Sequence, residues 1–180
     1  MGLWKKFGIY LFISVLCLGC CGGAFASSYD DLAKDRISTL WVEGQVLGDM
    51  VIGARSQLVF VYMDRKVCDA ARSERGKLPD WVTWNLQYEA VAAKQKKALF
   101  LIRYRTLKNW DFIISQLSVG GYVLSEEDIL TRSDFTQIGP IPPDTEGTLA
   151  VAVPLSKLKP GDRISIAYGE WSQKWTIPKR

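Results

Sequence analysis

The residues able to do chemistry are few, and the first constraint is an absence: the chain contains no histidine. That removes the usual general base of serine and cysteine nucleophiles and the commonest neutral metal ligand. Catalysis by two carboxylates, as in glycoside hydrolysis, survives the loss, yet no acidic pair stands at a motif's spacing. Glu126, Glu127 and Asp128, with Asp144 and Glu146 further on, could offer oxygens to calcium. The regular spacing of a calcium loop is missing, and a capped helical turn accounts for the first three, since acids favour a helix N-terminus. The expectation is a non-enzyme with no catalytic residue, no cofactor and no metal.

Contact chemistry has more to offer. Lys94, Lys96, Lys97, Arg103, Arg105 and Lys108 form a basic segment with no acid between Glu89 and Asp111. On a strand, Arg103 and Arg105 share a face about 7 Å apart. Such a patch suits lipid head groups, acidic polysaccharide or an acidic protein. The plainer alternative is a solvated hairpin whose lysines keep its edge from pairing. Trp171 and Trp175 share a face with Gln173, about 13 Å apart. Exposed, these indoles could stack on sugar rings; buried, they fill a core. Trp81, opening a polar face with Thr83, Asn85 and Gln87, is the third aromatic candidate.

Cysteine chemistry is concentrated where it is discarded. "CLGCCGGAFASS" (17–28) holds Cys17, Cys20 and Cys21. Lys5 and Lys6 precede an uncharged run, "FGIYLFISVLCL", too short to span a bilayer. Ala24-Phe25-Ala26 then supplies the small-residue pattern of a signal peptidase site. Residues 1–26 therefore read as a signal peptide cleaved after Ala26. The alternative is lipidation of Cys20 or Cys21, although "CLG" before Cys20 and "LGC" before Cys21 match the pattern of leucine and two small residues poorly. Beyond the cleavage point only Cys68 remains, so no disulfide forms within the chain; it is either buried, the favoured expectation, or pairs with another chain.

The elements that must position these residues come from residues 27–180, a length suited to one domain. Without Lys5 and Lys6 the charge is nearly balanced (23 basic against 19 acidic residues in the full chain). That balance excludes a general nucleic-acid binder. Period-two alternation dominates. "WVTWNLQYEAV" (81–91) sets Val82, Trp84, Leu86, Tyr88 and Ala90 against Thr83, Asn85, Gln87 and Glu89, the pattern of a half-buried strand. It predicts a hairpin through "AKQKK" to a strand over 98–106. Further strands are expected over 39–46, 57–63, 110–119, 147–154, 162–169 and 170–178. Helix is scarce: a turn over "EEDILT" capped by Ser125, with Asp128 three residues on, and a short helix over 30–37. "CDAARSERGKLPD" (68–80) reads as a surface connection.

One stretch carries a resemblance. "VAVPLSKLKPGDRISIAYG" (151–169) reads strand, tight crossing, strand, with Leu158 filling the core and Pro160-Gly161 turning the chain. It resembles the crossing between the E and F strands of fibronectin type III and related immunoglobulin-like domains. Ile164 stands where those domains place a corner tyrosine. The resemblance implies an all-β, immunoglobulin-like antiparallel β-sandwich of about seven to eight strands, with one or two short helical turns. It implies nothing of function.

The functional expectation is an exported, non-catalytic binding or assembly module of the bacterial envelope, periplasmic or secreted. Its partner would be an envelope protein or glycan and not nucleic acid. It would meet the membrane only transiently, through the signal peptide. The alternatives are a carboxylate-dependent hydrolase acting on envelope glycan and a lipid-anchored component of an envelope complex.

Overall fold

Ser28 opens the described chain by capping α1 (Tyr29–Lys34), its hydroxyl accepting from the Asp31 amide. The computed structural model describes residues 28–179. The signal peptide, its cleavage point and Cys17, Cys20 and Cys21 lie outside the described residues. After α1 the chain runs through β1 (Ile37–Val42), β2 (Gln45–Leu47), β3 (Met50–Ile52) and β4 (Ser56–Met63). Asp64 caps α2 (Arg65–Ser73), and α3 (Asp80–Thr83), a 3-10 turn over Trp84–Gln87 and α4 (Tyr88–Lys94) follow. The remainder is β-rich: β5 (Lys97–Thr106), β6 (Trp110–Phe112), β7 (Leu117–Val119), β8 (Tyr122–Val123), β9 (Gly139–Ile141), β10 (Glu146–Pro154), β11 (Arg163–Tyr168) and β12 (Trp171–Thr176).

All the sheets are antiparallel, which is the expected all-β class with short helices. One four-stranded sheet has the order β1-β4-β5-β10 and a second the order β12-β11-β7-β8. β2-β3 and β6-β9 form two-stranded ladders beside them. Alternate residues of the first sheet point to different neighbours. Leu58, Phe60, Phe100, Ile102, Leu149 and Val151 belong to the core shared with Leu117, Val119, Ile166, Tyr168 and Trp175 of the second sheet. Val61, Met63, Leu99, Leu101, Ala150 and Ala152 instead meet Val67, Cys68, Ala71, Val82 and Leu86 of the helices. A strand buried on both faces has no polar side, which explains the unbroken runs "ALFLI" and "LAVAV".

That helical layer corrects two expectations. Residues 81–91 are not a strand, and no hairpin joins them to β5; they lie in α3, the 3-10 turn and α4. Val82 and Leu86, four residues apart, are buried with Ala92, while Trp84 and Ala90 face solvent, as helix turns and not a strand require. Val82 and Leu86 satisfy both periods, so alternation alone could not separate them. Residues 68–80 are likewise not a plain connection, because α2 runs to Ser73. Its buried stripe is Val67, Cys68 and Ala71, side chains small enough to approach the sheet closely despite their low apolar content.

Elsewhere the structure divides what the sequence joined. The expected strand over 110–119 is broken by a 3-10 turn at Ile114–Gln116, which carries the chain from the β6-β9 ladder into the second main sheet. The crossing after β10 passes from the first sheet to the second, with Leu158 buried and Gly161 at φ +86°. Ile164 forms no tyrosine corner. Four residues on, the Tyr168 hydroxyl donates to Asp111 O at 2.9 Å and accepts from the Ile113 amide at 3.0 Å. The expected turn at Ser125 is a 3-10 turn over Glu126–Asp128 with a complete capping box. The outer edge of β10 is covered by a bridge from Ile129 to Val151 and by the Leu130 amide on Ala150 O, which removes an open pairing edge.

Candidate functional site

The basic segment does not form one patch, because helix and strand separate its members. Lys94 ends α4, and Lys96 turns the chain into β5 with φ 54°. Lys97 and Arg105 stand at opposite ends of β5, roughly 27 Å apart along the strand. Register then decides which charges are compensated. Arg105 lies opposite Glu146, and Arg103 opposite Thr148 two residues on. Both guanidinium groups therefore reach Glu146, at 2.6 Å from Arg103 and 3.7 Å from Arg105. Lys108 donates to Gly53 O at 2.8 Å. Of these cations, Lys94 and Lys96 alone make neither an ion pair nor a side-chain hydrogen bond among the described residues.

Lys97 is a structural residue. Its Nζ lies 2.7 Å from Asp128 Oδ1, and Asp128 is 1% exposed. Asp128 also accepts from the Tyr122 hydroxyl, the Ser125 hydroxyl and the Ser125 amide. Burial pushes the Asp128 pKa up, but Lys97 and these donors outweigh it, and the net shift is downward. Its oxygens are thus engaged by the protein itself. Asp31, Glu43 and Glu146 are also held below the ordinary carboxylate range, by hydrogen bonds from Lys34, Arg55 and Arg103 respectively.

The tryptophans are redistributed. Trp175 is only 7% exposed; it packs on Tyr62 and Phe100, and its indole N–H donates to Asp35 O. Trp171 is half-buried against the same core. Trp81 packs on the helix-side core beneath the Arg103 guanidinium, 5.2 Å from its ring centre. None of the three is an exposed indole. The most exposed indole among the described residues is Trp84, 66% exposed, at the start of the 3-10 turn. Leaving that much indole in water forgoes roughly 3 kcal/mol of burial. Alternation hid it by placing Trp84 among the buried positions. It lines a groove of about 500 Å³ with Arg72, Arg75 and Gln87.

The second feature missed by sequence reasoning is a β-arm. β2 and β3 extend the β1-β4 pair beyond the sandwich, with Leu47 opposite Met50 across a Gly48-Asp49 turn. Gly48 has φ +60°, the left-handed geometry that a two-residue hairpin of this kind requires. Val46, Leu47, Met50 and Ile52 are between 51 and 64% exposed. The base of the arm is clamped. Arg55 reaches Glu43 at 2.7 Å and Asn109 O at 2.6 Å, while Lys108 holds Gly53 O. These exposed contacts add little stability, but they fix the direction in which the arm points. Compared with protein-family models, curated proteins and solved structures, the chain matches none.

Proposed function

We propose that this protein is an exported, non-catalytic binding or assembly module of the bacterial envelope, acting by surface contact through the arm at residues 45–52. The observation that carries the reading is four half-exposed apolar side chains on a short hairpin whose base is tied down. Covering them is worth about 4 kcal/mol before the costs of association. A fixed arm loses less conformational freedom on docking than a mobile loop would. The occupant is a protein and not a lipid bilayer. Asp49 sits at the tip between Leu47 and Met50, where insertion would drive a carboxylate into hydrocarbon. A protein can provide an apolar pocket for Leu47 and Met50 and a cation for Asp49. The immunoglobulin-like likeness remains a fold-level inference that rests on the β10–β11 crossing. Export rests on the sequence of residues 1–26, and the mature chain would begin at Ser27 without lipid on Cys20 or Cys21.

Photocrosslinking tests the arm. A photoreactive residue at position 50 should give one adduct with an envelope protein, whereas the same residue at exposed Ser172 should not. Leu47→Ser should weaken that adduct about fivefold, the effect of losing about 1 kcal/mol of apolar burial. An adduct independent of position, or one with a second copy of this chain, would overturn the assignment. Intact mass of the exported protein reads its N-terminus in the same sample.

A further inference from the structure

We infer that the groove over the Trp84–Gln87 turn is a binding site for an acidic pyranose, a hexuronate unit of a polysaccharide. The site shares no residue with the arm and stands or falls separately from it. Three groups define its chemistry: the exposed Trp84 indole, Arg75, and the exposed carboxamide of Gln87. Arg72, on the same groove, is already occupied, its guanidinium held between Asp69 at 3.0 Å and Glu89. Arg75 makes no ion pair or hydrogen bond among the described residues. Of the acids around it in the chain, Glu74 accepts from the Tyr29 amide and Asp69 and Glu89 hold Arg72, while Asp80 forms no ion pair with Arg75. A free aromatic face and an uncommitted guanidinium therefore line one groove.

Each group selects part of the ligand. The π-face of an indole is electron-rich and favours the flat, weakly positive C–H face of a sugar ring. A guanidinium prefers a planar carboxylate, which it can hold through two parallel N–H bonds. A carboxamide both donates and accepts, matching ring hydroxyls. A hexuronate presents a C–H face, a carboxylate and hydroxyls on one rigid ring. A neutral sugar leaves Arg75 unused, and an acidic peptide brings no rigid C–H face to cover the indole. The groove volume of about 500 Å³ lies within the range of ordinary small-ligand sites, about 300–1,000 Å³.

The test is NMR titration of the full exported protein, following the Trp84 indole N–H resonance identified by its loss in Trp84→Phe. Tri-galacturonate and tri-mannuronate are titrated to millimolar concentration beside the methyl ester of each and beside triglutamate. At least one uronate should shift the Trp84 resonance saturably, with its ester about tenfold weaker. Arg75→Gln should bring the acid down to the level of its ester, and Trp84→Ala should abolish binding while the remaining indole resonances stay in place. No shift with either uronate overturns the proposal. Equal binding of an ester removes the role of Arg75 and overturns the acidic specificity. Triglutamate binding as tightly as the uronates identifies a peptide site instead.

Discussion

Replacing Asp128 with asparagine separates a fold-building role for Lys97 from a surface role. In the native protein the carboxylate accepts from Lys97 Nζ at 2.7 Å, the Ser125 amide at 3.0 Å, the Ser125 hydroxyl at 3.1 Å and the Tyr122 hydroxyl at 3.0 Å. A carboxamide there would keep the shape, lose the charge and turn one acceptor into a donor facing other donors. Breaking a buried ion pair from one side costs about 3–5 kcal/mol. The Lys97 side chain is 24% exposed and can turn toward water, which places the expected loss near the lower end, about 3 kcal/mol. Guanidinium unfolding at neutral pH measures it directly. The pH dependence adds a signature that simple repacking would not produce. The folded-state pKa of Asp128 is depressed. Its contribution is therefore present above the unfolded-state value, near 3.9, and is lost as pH falls through the lower folded-state value. The gap between wild type and Asp128→Asn should hold from pH 7 to about pH 5 and narrow progressively below about pH 4. In a double-mutant cycle with Lys97→Met, the coupling should be at least about 1 kcal/mol. A loss under about 0.5 kcal/mol, or a gap that persists unchanged at about pH 3, would refute the network as described.

Three further outcomes probe the packing around the two candidate surfaces. Gly147 lies opposite Tyr104 in register, and a Cβ there would strike the Tyr104 ring and hydroxyl. Gly147→Ala should cost about 2–3 kcal/mol in chemical denaturation, because Tyr104 must leave Phe112, Trp110 and its bond to Gln137; an unchanged midpoint would contradict the cross-strand packing. Cys68 is fully buried, and desolvation pushes its thiol pKa up to about 12. Alkylation mapped to the Cys68 peptide at pH 8 should therefore follow unfolding, and labelling at the rate of a free thiol in native buffer would contradict the seating of α2. Trp175→Ala should lose about 3–5 kcal/mol whereas Trp84→Ala stays within about 0.5 kcal/mol, and equal losses would reject the assignment of buried and exposed indoles.

Some of the site was legible before folding was considered. Arg103 and Arg105 share a face because strand periodicity requires it, and burial of Trp175 was one of the two readings its strand allowed. What could not be read was compensation. Glu146 lies 43 residues beyond Arg103, and only the β5-β10 register brings it to both arginines. Lys97 meets Asp128 because the Glu126–Asp128 turn is carried back against the start of β5. Sequence proximity grouped six cations into one patch, and strand length and register dispersed them.

The sequence by itself determined the β-rich class, the crossing at Leu158 and Gly161 and the capped turn at Ser125. Each depends on local chemistry: alternation, a glycine at positive φ, a side chain capping the next turn. Only the tertiary structure decided residues 81–94. Val82 and Leu86 suit a strand face and a helix face equally, and the choice follows from the second apolar face of the central sheet. Val61, Leu99, Leu101 and Ala152 need a cover there, and a helix lays Val82, Leu86 and Ala92 on them together. That same choice turns Trp84 outward, because at about 100–120° of rotation per helical residue a side chain two positions from both Val82 and Leu86 points away from their side.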